Sequence, residues 1–175
     1  TNTIEFRRTP ATPRPAAERE AILANPGFGN HFTDHMVSIV WTKEGGWEQP
    51  ELIPYGPILL DPAASVLHYG QEIFEGLKAY RRADGSVSAF RVEANAARLN
   101  ASARRLALPE LPVGLFVRSI DELVSTDADW VAAGAEASLY LRPFMIADES
   151  FLGVRAAHRA RFMIIASPAG PYFSQ

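Results

Sequence analysis

Cysteine is absent from the 175 residues, which excludes disulfides and thiolate metal centres and says nothing more about compartment. Lysine is scarce: Lys43 and Lys78 are the two in the chain. No block of like charge occurs, and a net charge of −3 gives nucleic acid no electrostatic footprint. No apolar run approaches the roughly 18 residues that a membrane span requires. The N-terminus lacks the charged-then-apolar pattern of a secretion signal. The default expectation is therefore a cytoplasmic protein with neither nucleic acid nor membrane as partner. What is present is the composition of an ordinary globular protein, 47% hydrophobic and 21% charged, enough for one domain with a real core and a short arm.

Pro10, Pro13, Pro15 and Pro26 mark residues 1–27 as a surface arm with room for a short helix over 16–23. Apolar and β-branched density predicts a strand over 32–41, and Glu44-Gly45-Gly46 a turn. Residues 53–60 contain Pro54 and Pro57 and read as an edge strand or loop. Residues 65–68, 73–82 and 87–92 read as strands, the last two joined at Asp84-Gly85 by a hairpin turn whose two central residues take positive φ. From Glu93 the period changes. Leu99, Ala103 and Leu106 recur at helical spacing, and Pro109 and Pro112 end that helix. A second helix over 113–124 buries Leu115, Phe116, Ile120 and Leu123. Residues 138–147 and 161–167 are apolar enough to be central strands, before Pro168-Ala169-Gly170-Pro171 breaks the pattern. The sum is an α+β domain, a mainly antiparallel sheet with two helices packed on one face.

Several residues invite chemical readings. His31 and His35 have the spacing of two zinc ligands on a helix, but on a strand they stand about 13 Å apart, too far to share a metal. No metal site is expected. Gly27-Phe28-Gly29 opens like a dinucleotide fingerprint, yet Phe32 replaces its third glycine. Arg98 borders the Leu99 stripe; composition favours a surface arginine, and a phosphate contact is the alternative. Tyr140 and Arg142 share one strand face with Ser138 and Phe144. An arginine inside so apolar a strand needs an anion, and either a neighbouring acid or a substrate carboxylate would serve. Tyr69 and Phe74 are core aromatics or the walls of a pocket that Gly76 keeps open. Lys43 is solvated beside its turn, and Lys78 is expected to form a cross-strand ion pair.

The most informative run is Leu67-His68-Tyr69-Gly70-Gln71-Glu72-Ile73-Phe74-Glu75-Gly76-Leu77-Lys78-Ala79-Tyr80. With Phe28-Gly29, Phe32-Thr33-Asp34-His35-Met36, Ser138-Leu139-Tyr140-Leu141-Arg142-Pro143, Leu152-Gly153-Val154 and Pro168-Ala169-Gly170-Pro171-Tyr172-Phe173, it resembles the branched-chain aminotransferases, fold-type IV enzymes that use pyridoxal phosphate. The ordered match runs from about Phe28 to Phe173. It implies the fold of the family's small N-terminal domain over 28–170, an arm over 1–27, and the start of an interdomain loop over 171–175.

By that resemblance Arg98 holds the cofactor phosphate. Phe28, Tyr69, Phe74, Tyr140 and Arg142 form the substrate pocket, with Tyr172 at the loop between domains. Arg142 takes the side-chain carboxylate of glutamate or 2-oxoglutarate, and the apolar walls take leucine, isoleucine and valine. Leu152 and Val154, together with Tyr69, reach the partner subunit's pocket in a homodimer. The lysine that bonds the cofactor lies in the second domain of that family, and neither Lys43 nor Lys78 matches it. These 175 residues alone are thus expected to be inactive, with no catalytic residue of their own. Rival expectations are a D-amino-acid transaminase, an aminodeoxychorismate lyase, or a stand-alone non-catalytic dimerisation or binding module.

Overall fold

Strict alternation along two long strands decides which face of the sheet is buried. In β8 (Ser138–Ile146) and β9 (Arg159–Ala169), Leu139, Leu141 and Met145 lie opposite Pro168, Ala166 and Phe162 and turn toward the helices. Tyr140, Arg142 and Phe144 lie opposite Ser167, Ile165 and Met163 and turn to the other face. The computed structural model describes residues 4–134 and 137–170. In chain order the remaining elements are β1 (Arg7–Arg8), α1 (Ala16–Ala24), β2 (His35–Thr42), β3 (Gly46–Trp47), β4 (Glu51–Pro54), α2 (Ser65–Tyr69), β5 (Glu72–Phe74), β6 (Leu77–Arg81), β7 (Val87–Ala89), α3 (Val92–Arg105) and α4 (Val113–Thr126). The sheet runs β1-β4-β2-β9-β8-β6-β7, with β3 on β2 and β5 on β8. All pairs are antiparallel except β1 with β4.

Helices α3 and α4 supply the other half of the core. Leu99 and Ala103 on α3, and Leu115, Phe116, Ile120 and Leu123 on α4, are buried against Val37, Ile39, Leu139, Leu141 and Phe162. Apart from Ala103, each of these side chains contributes about 1.5–3 kcal/mol by leaving water. Asn100 is buried without penalty because it both donates to and accepts from Leu111, at 2.8 and 2.9 Å. The α+β expectation holds, with a mixed sheet and four helices.

Several elements depart from the sequence reading. Residues 65–69 form a helix, not a strand. Ser65 and Val66 donate to Glu149 and Ala147 rather than to a ladder, and Gly70, at φ 58°, ends the turn in the left-handed conformation that glycine adopts freely. The strand expected over 73–82 is split into β5 and β6. The cause is Pro143 on β8: its carbonyl accepts from the Glu75 N–H at 2.8 Å, but proline has no N–H to return. Ladder pairing lapses at Glu75-Gly76 and resumes at Leu77.

The Asp84-Gly85 hairpin forms, but only Gly85 has positive φ; Asp84 instead accepts from the Ser86 N–H and hydroxyl. β7 stops at Ala89, and Val92 already belongs to α3. That helix ends before the prolines, where Ala107 turns left-handed and the Leu108 N–H reaches back to the Ala103 carbonyl. Leu106 is consequently exposed. β9 continues through Pro168, which lies past its last pair with β2, so no ladder bond is at stake on that side. Lys78 faces Tyr140 across the strands and not an acid.

Candidate active-site face

The sheet face turned away from the helices carries the residues that alternation placed there. Arg142 Nη2 donates to the Tyr140 hydroxyl at 2.7 Å. Its guanidinium lies 4.5 Å from the Phe74 ring centre and 5.4 Å from that of Tyr140, a cation held over aromatic faces. Its Nε is buried with no hydrogen-bond partner among the described residues. Nor does any acid among them pair with Arg142 to make it a plain structural ion pair.

The Phe28 ring packs against Tyr140 at 5.1 Å. Phe28, Tyr140 and Arg142 border a cavity of about 210 Å³ with Phe32, Ile165 and Ser167, while Phe74 is exposed and does not line it. Gly76 sits beneath Tyr140, where a methyl group would overlap the tyrosine hydroxyl, so the break in the sheet opposite Pro143 makes room for the pocket wall. Sequence reasoning missed Phe32, Ile165 and Ser167 as pocket residues; for the last two, alternation with Ala166 and Ile164 was the signal available.

Arg98 stands elsewhere. It projects from α3, on the helical side, and does not line that cavity. Its Nε and Nη2 donate to Glu75 at 3.0 and 2.6 Å, and Asn95 donates to the same carboxylate at 2.9 Å. Glu75 is 7% exposed, whereas the Arg98 side chain is 66% exposed. Burial pushes the Glu75 carboxyl up, but hydrogen bonds from Arg98 and Asn95, the Arg98 charge and the Gly76 N–H together hold it below its ordinary 4.5. A carboxyl depressed in the folded state stabilises fully above its unfolded pKa, and that contribution disappears as pH falls through the folded value. Unfolding free energies of the protein and of Glu75→Gln, followed by denaturant titration, are therefore expected to differ most above pH about 4.5 and to converge in stronger acid. A constant offset across that range would show that the carboxylate charge is not what holds α3 to the sheet.

Tyr69 and Val154 meet at a third place, a cavity of about 310 Å³ that also includes Arg105 and Arg155. Leu152 and Val154 are 65% and 87% exposed. Tyr172 lies outside the described residues. A larger cavity, about 660 Å³, lies between the β6–β7 hairpin and α4 and is lined by none of the candidate site residues. His35 Nδ1 meets the buried Asp127 carboxylate at 2.7 Å, and no cluster among the described residues could hold a metal ion.

Chemically, the face offers a fixed cation with an idle donor inside aromatic and aliphatic walls. That combination recognises a carboxylate on an otherwise apolar molecule.

No family model matches the chain. It is 62% identical over 174 residues to a probable branched-chain-amino-acid aminotransferase of Streptomyces coelicolor, a match covering 99% of this chain and 48% of that protein. A branched-chain aminotransferase of Thermoproteus uzoniensis, solved with norvaline, superposes with a TM-score of 0.61 at 22% identity over 78% of this chain and 42% of that one. A branched-chain amino acid aminotransferase of Escherichia coli gives 0.56 at 22% identity, over 74% and 40%. At such identities the structural matches carry the fold alone. The chain spans about half the length of the curated relatives it matches.

Proposed function

Because this chain belongs to the branched-chain aminotransferase family of fold-type IV enzymes, we propose that it supplies the substrate-recognising face of an L-amino-acid transaminase. The reaction exchanges an amino group between leucine, isoleucine or valine and 2-oxoglutarate. The buried, unpartnered Arg142 Nε is the observation that carries the reading. A five-carbon dicarboxylate offers it a second carboxylate; an aliphatic side chain instead lies on Phe28, Phe32 and Ile165 and leaves Arg142 to Tyr140 and Phe74.

Pyridoxal phosphate, when bound, carries the amino group between the two substrates. Residues present here fit its phosphate. With Nε and one Nη2 hydrogen turned to Glu75, Arg98 keeps its Nη1 hydrogens and the other Nη2 hydrogen on an exposed guanidinium. That is the end-on fork a phosphate takes up. Exposed Leu152, Val154 and Tyr69 suit a homodimer in which they border the partner's pocket. Phe28, Phe32, Tyr140, Arg142 and Ile165 thus form one wall of a cleft completed by the rest of the protein.

The test is the substrate profile of the complete protein. L-leucine, L-isoleucine and L-valine should each donate to 2-oxoglutarate, and D-alanine should not. Turnover of D-amino acids or of aminodeoxychorismate in their place would assign the chain to another fold-type IV activity.

A further inference from the structure

Glu75 is chemically out of place on an active-site rim: a buried carboxylate bonded to the very arginine assigned to an anionic phosphate. By charge alone it opposes that assignment, since it offsets the arginine it touches. Its surroundings show a different use. The Glu75 N–H is anchored to the Pro143 carbonyl at 2.8 Å, inside the gap between β5 and β6. Asn95, buried on α3, donates to Glu75 Oε2 at 2.9 Å and to the Gly76 carbonyl at 3.3 Å. Both residues are thus locked before Arg98 is considered.

Arg98 then meets the carboxylate through two parallel N–H···O contacts from Nε and Nη2. That side-on grip fixes the guanidinium plane as well as its position. A free arginine at this exposure would sample many rotamers, and binding an anion would have to order it.

We propose that Glu75, anchored by Asn95, is a positioning residue that holds the Arg98 guanidinium with its remaining N–H fork toward the cofactor phosphate. This rests on Arg98 being the phosphate ligand of the proposed transaminase. The same two-residue gap serves both faces of the sheet. Glu75 reaches the phosphate cation on the helical side, while Gly76 seats the Tyr140 hydroxyl on the pocket side. Arg98 and the Tyr140–Arg142 pair, which lie on opposite faces, are thereby held in fixed relation through adjacent backbone atoms.

Electrostatics and positioning predict opposite signs, which makes the inference testable. Removing the Glu75 charge should tighten phosphate binding if charge dominates, and weaken it if orientation does. In the apo form of the complete protein, dissociation constants are measured for pyridoxal 5'-phosphate and for pyridoxal, which lacks the phosphate. Glu75→Gln is expected to weaken pyridoxal phosphate about tenfold while pyridoxal stays within about twofold. In an Arg98→Ala background, the same change should add nothing. Unchanged or tighter pyridoxal phosphate binding in Glu75→Gln, or equal loss for both ligands, overturns the positioning role and leaves a structural ion pair. If Arg98→Ala itself leaves pyridoxal phosphate affinity intact, the phosphate assignment fails first, and the inference with it.

Circular dichroism melts report whether Glu75→Gln folds. Should it not, Asn95→Ala makes the same comparison, since it removes the anchor but keeps both charges. A loss of about threefold confined to pyridoxal phosphate supports the proposal, and no loss overturns it.

Discussion

Replacing Arg142 with alanine in the complete protein is expected to lower kcat/KM for 2-oxoglutarate by about 100-fold or more, and for leucine by no more than about threefold. The asymmetry follows from what each substrate asks of the guanidinium. A dicarboxylate brings a second anion to a donor that is buried and idle, and losing a charge-assisted bond in a dry pocket is worth about 1.5–3 kcal/mol. Leucine brings no such group, so truncation costs it only packing against Phe74 and Tyr140. Arg142→Lys keeps the charge but not the planar fork, and it should fall between the two. Equal losses for both substrates would make Arg142 a prop for Tyr140, with no part in selectivity.

The largest effect on stability is expected at Trp130, not on the pocket face. Its side chain is 1% exposed and sits in the 3₁₀ turn Ala128–Trp130. The indole Nε1 donates to Asp34 at 2.8 Å, and the Arg14 guanidinium stands 5.7 Å from the ring centre. The same Asp34 accepts from the Arg14 N–H at 3.0 Å through its other oxygen. One aromatic residue therefore fills the core beside α4 and secures the arm. Trp130→Ala should cost about 3–5 kcal/mol in urea unfolding, the range for large aromatic deletions in a close-packed interior. Trp130→Phe keeps most of the volume and loses the hydrogen bond, for about 1–2 kcal/mol. Indistinguishable midpoints for the two variants would mean that the hydrogen bond to Asp34, and not the buried ring, supplies the stability.

What could be read from the sequence follows the range of the forces involved. α3 and α4 were legible because a helical stripe is a local repeat, and Leu99, Ala103, Leu115, Phe116, Ile120 and Leu123 all face the core as spaced. The shared face of Tyr140 and Arg142 was legible for the same reason, with a period of two. Residues 65–69 were not, because a five-residue segment is too short to show a period, and its N–H partners sit on Ala147 and Glu149, some eighty residues away. The split between β5 and β6 depends on Pro143, a residue of another strand.

Glu75 was visible as a letter in its motif but not as a partner. Its bonds to Asn95 and Arg98 cross 20 and 23 positions of chain, and only packing of α3 on the sheet brings them together. Lys78 shows the reverse error: a charged residue on a strand invites an acidic neighbour, and the register supplied Tyr140 instead.

The two outermost rungs of the sheet bear on how this fold stays discrete in a crowded solution. At one rim β1 is just Arg7–Arg8, and Arg7 is paired with Glu51 while Arg8 is paired with the buried Glu122. At the other, β7 is three residues long and is followed after Phe90 by Arg91, whose φ of 51° turns the backbone out of the plane. A stray strand docking at either rim would find two or three rungs and a cation in its path, too little to template stacking. The arm therefore does the work of a selvedge: it finishes the cloth so that it does not run on into the next piece.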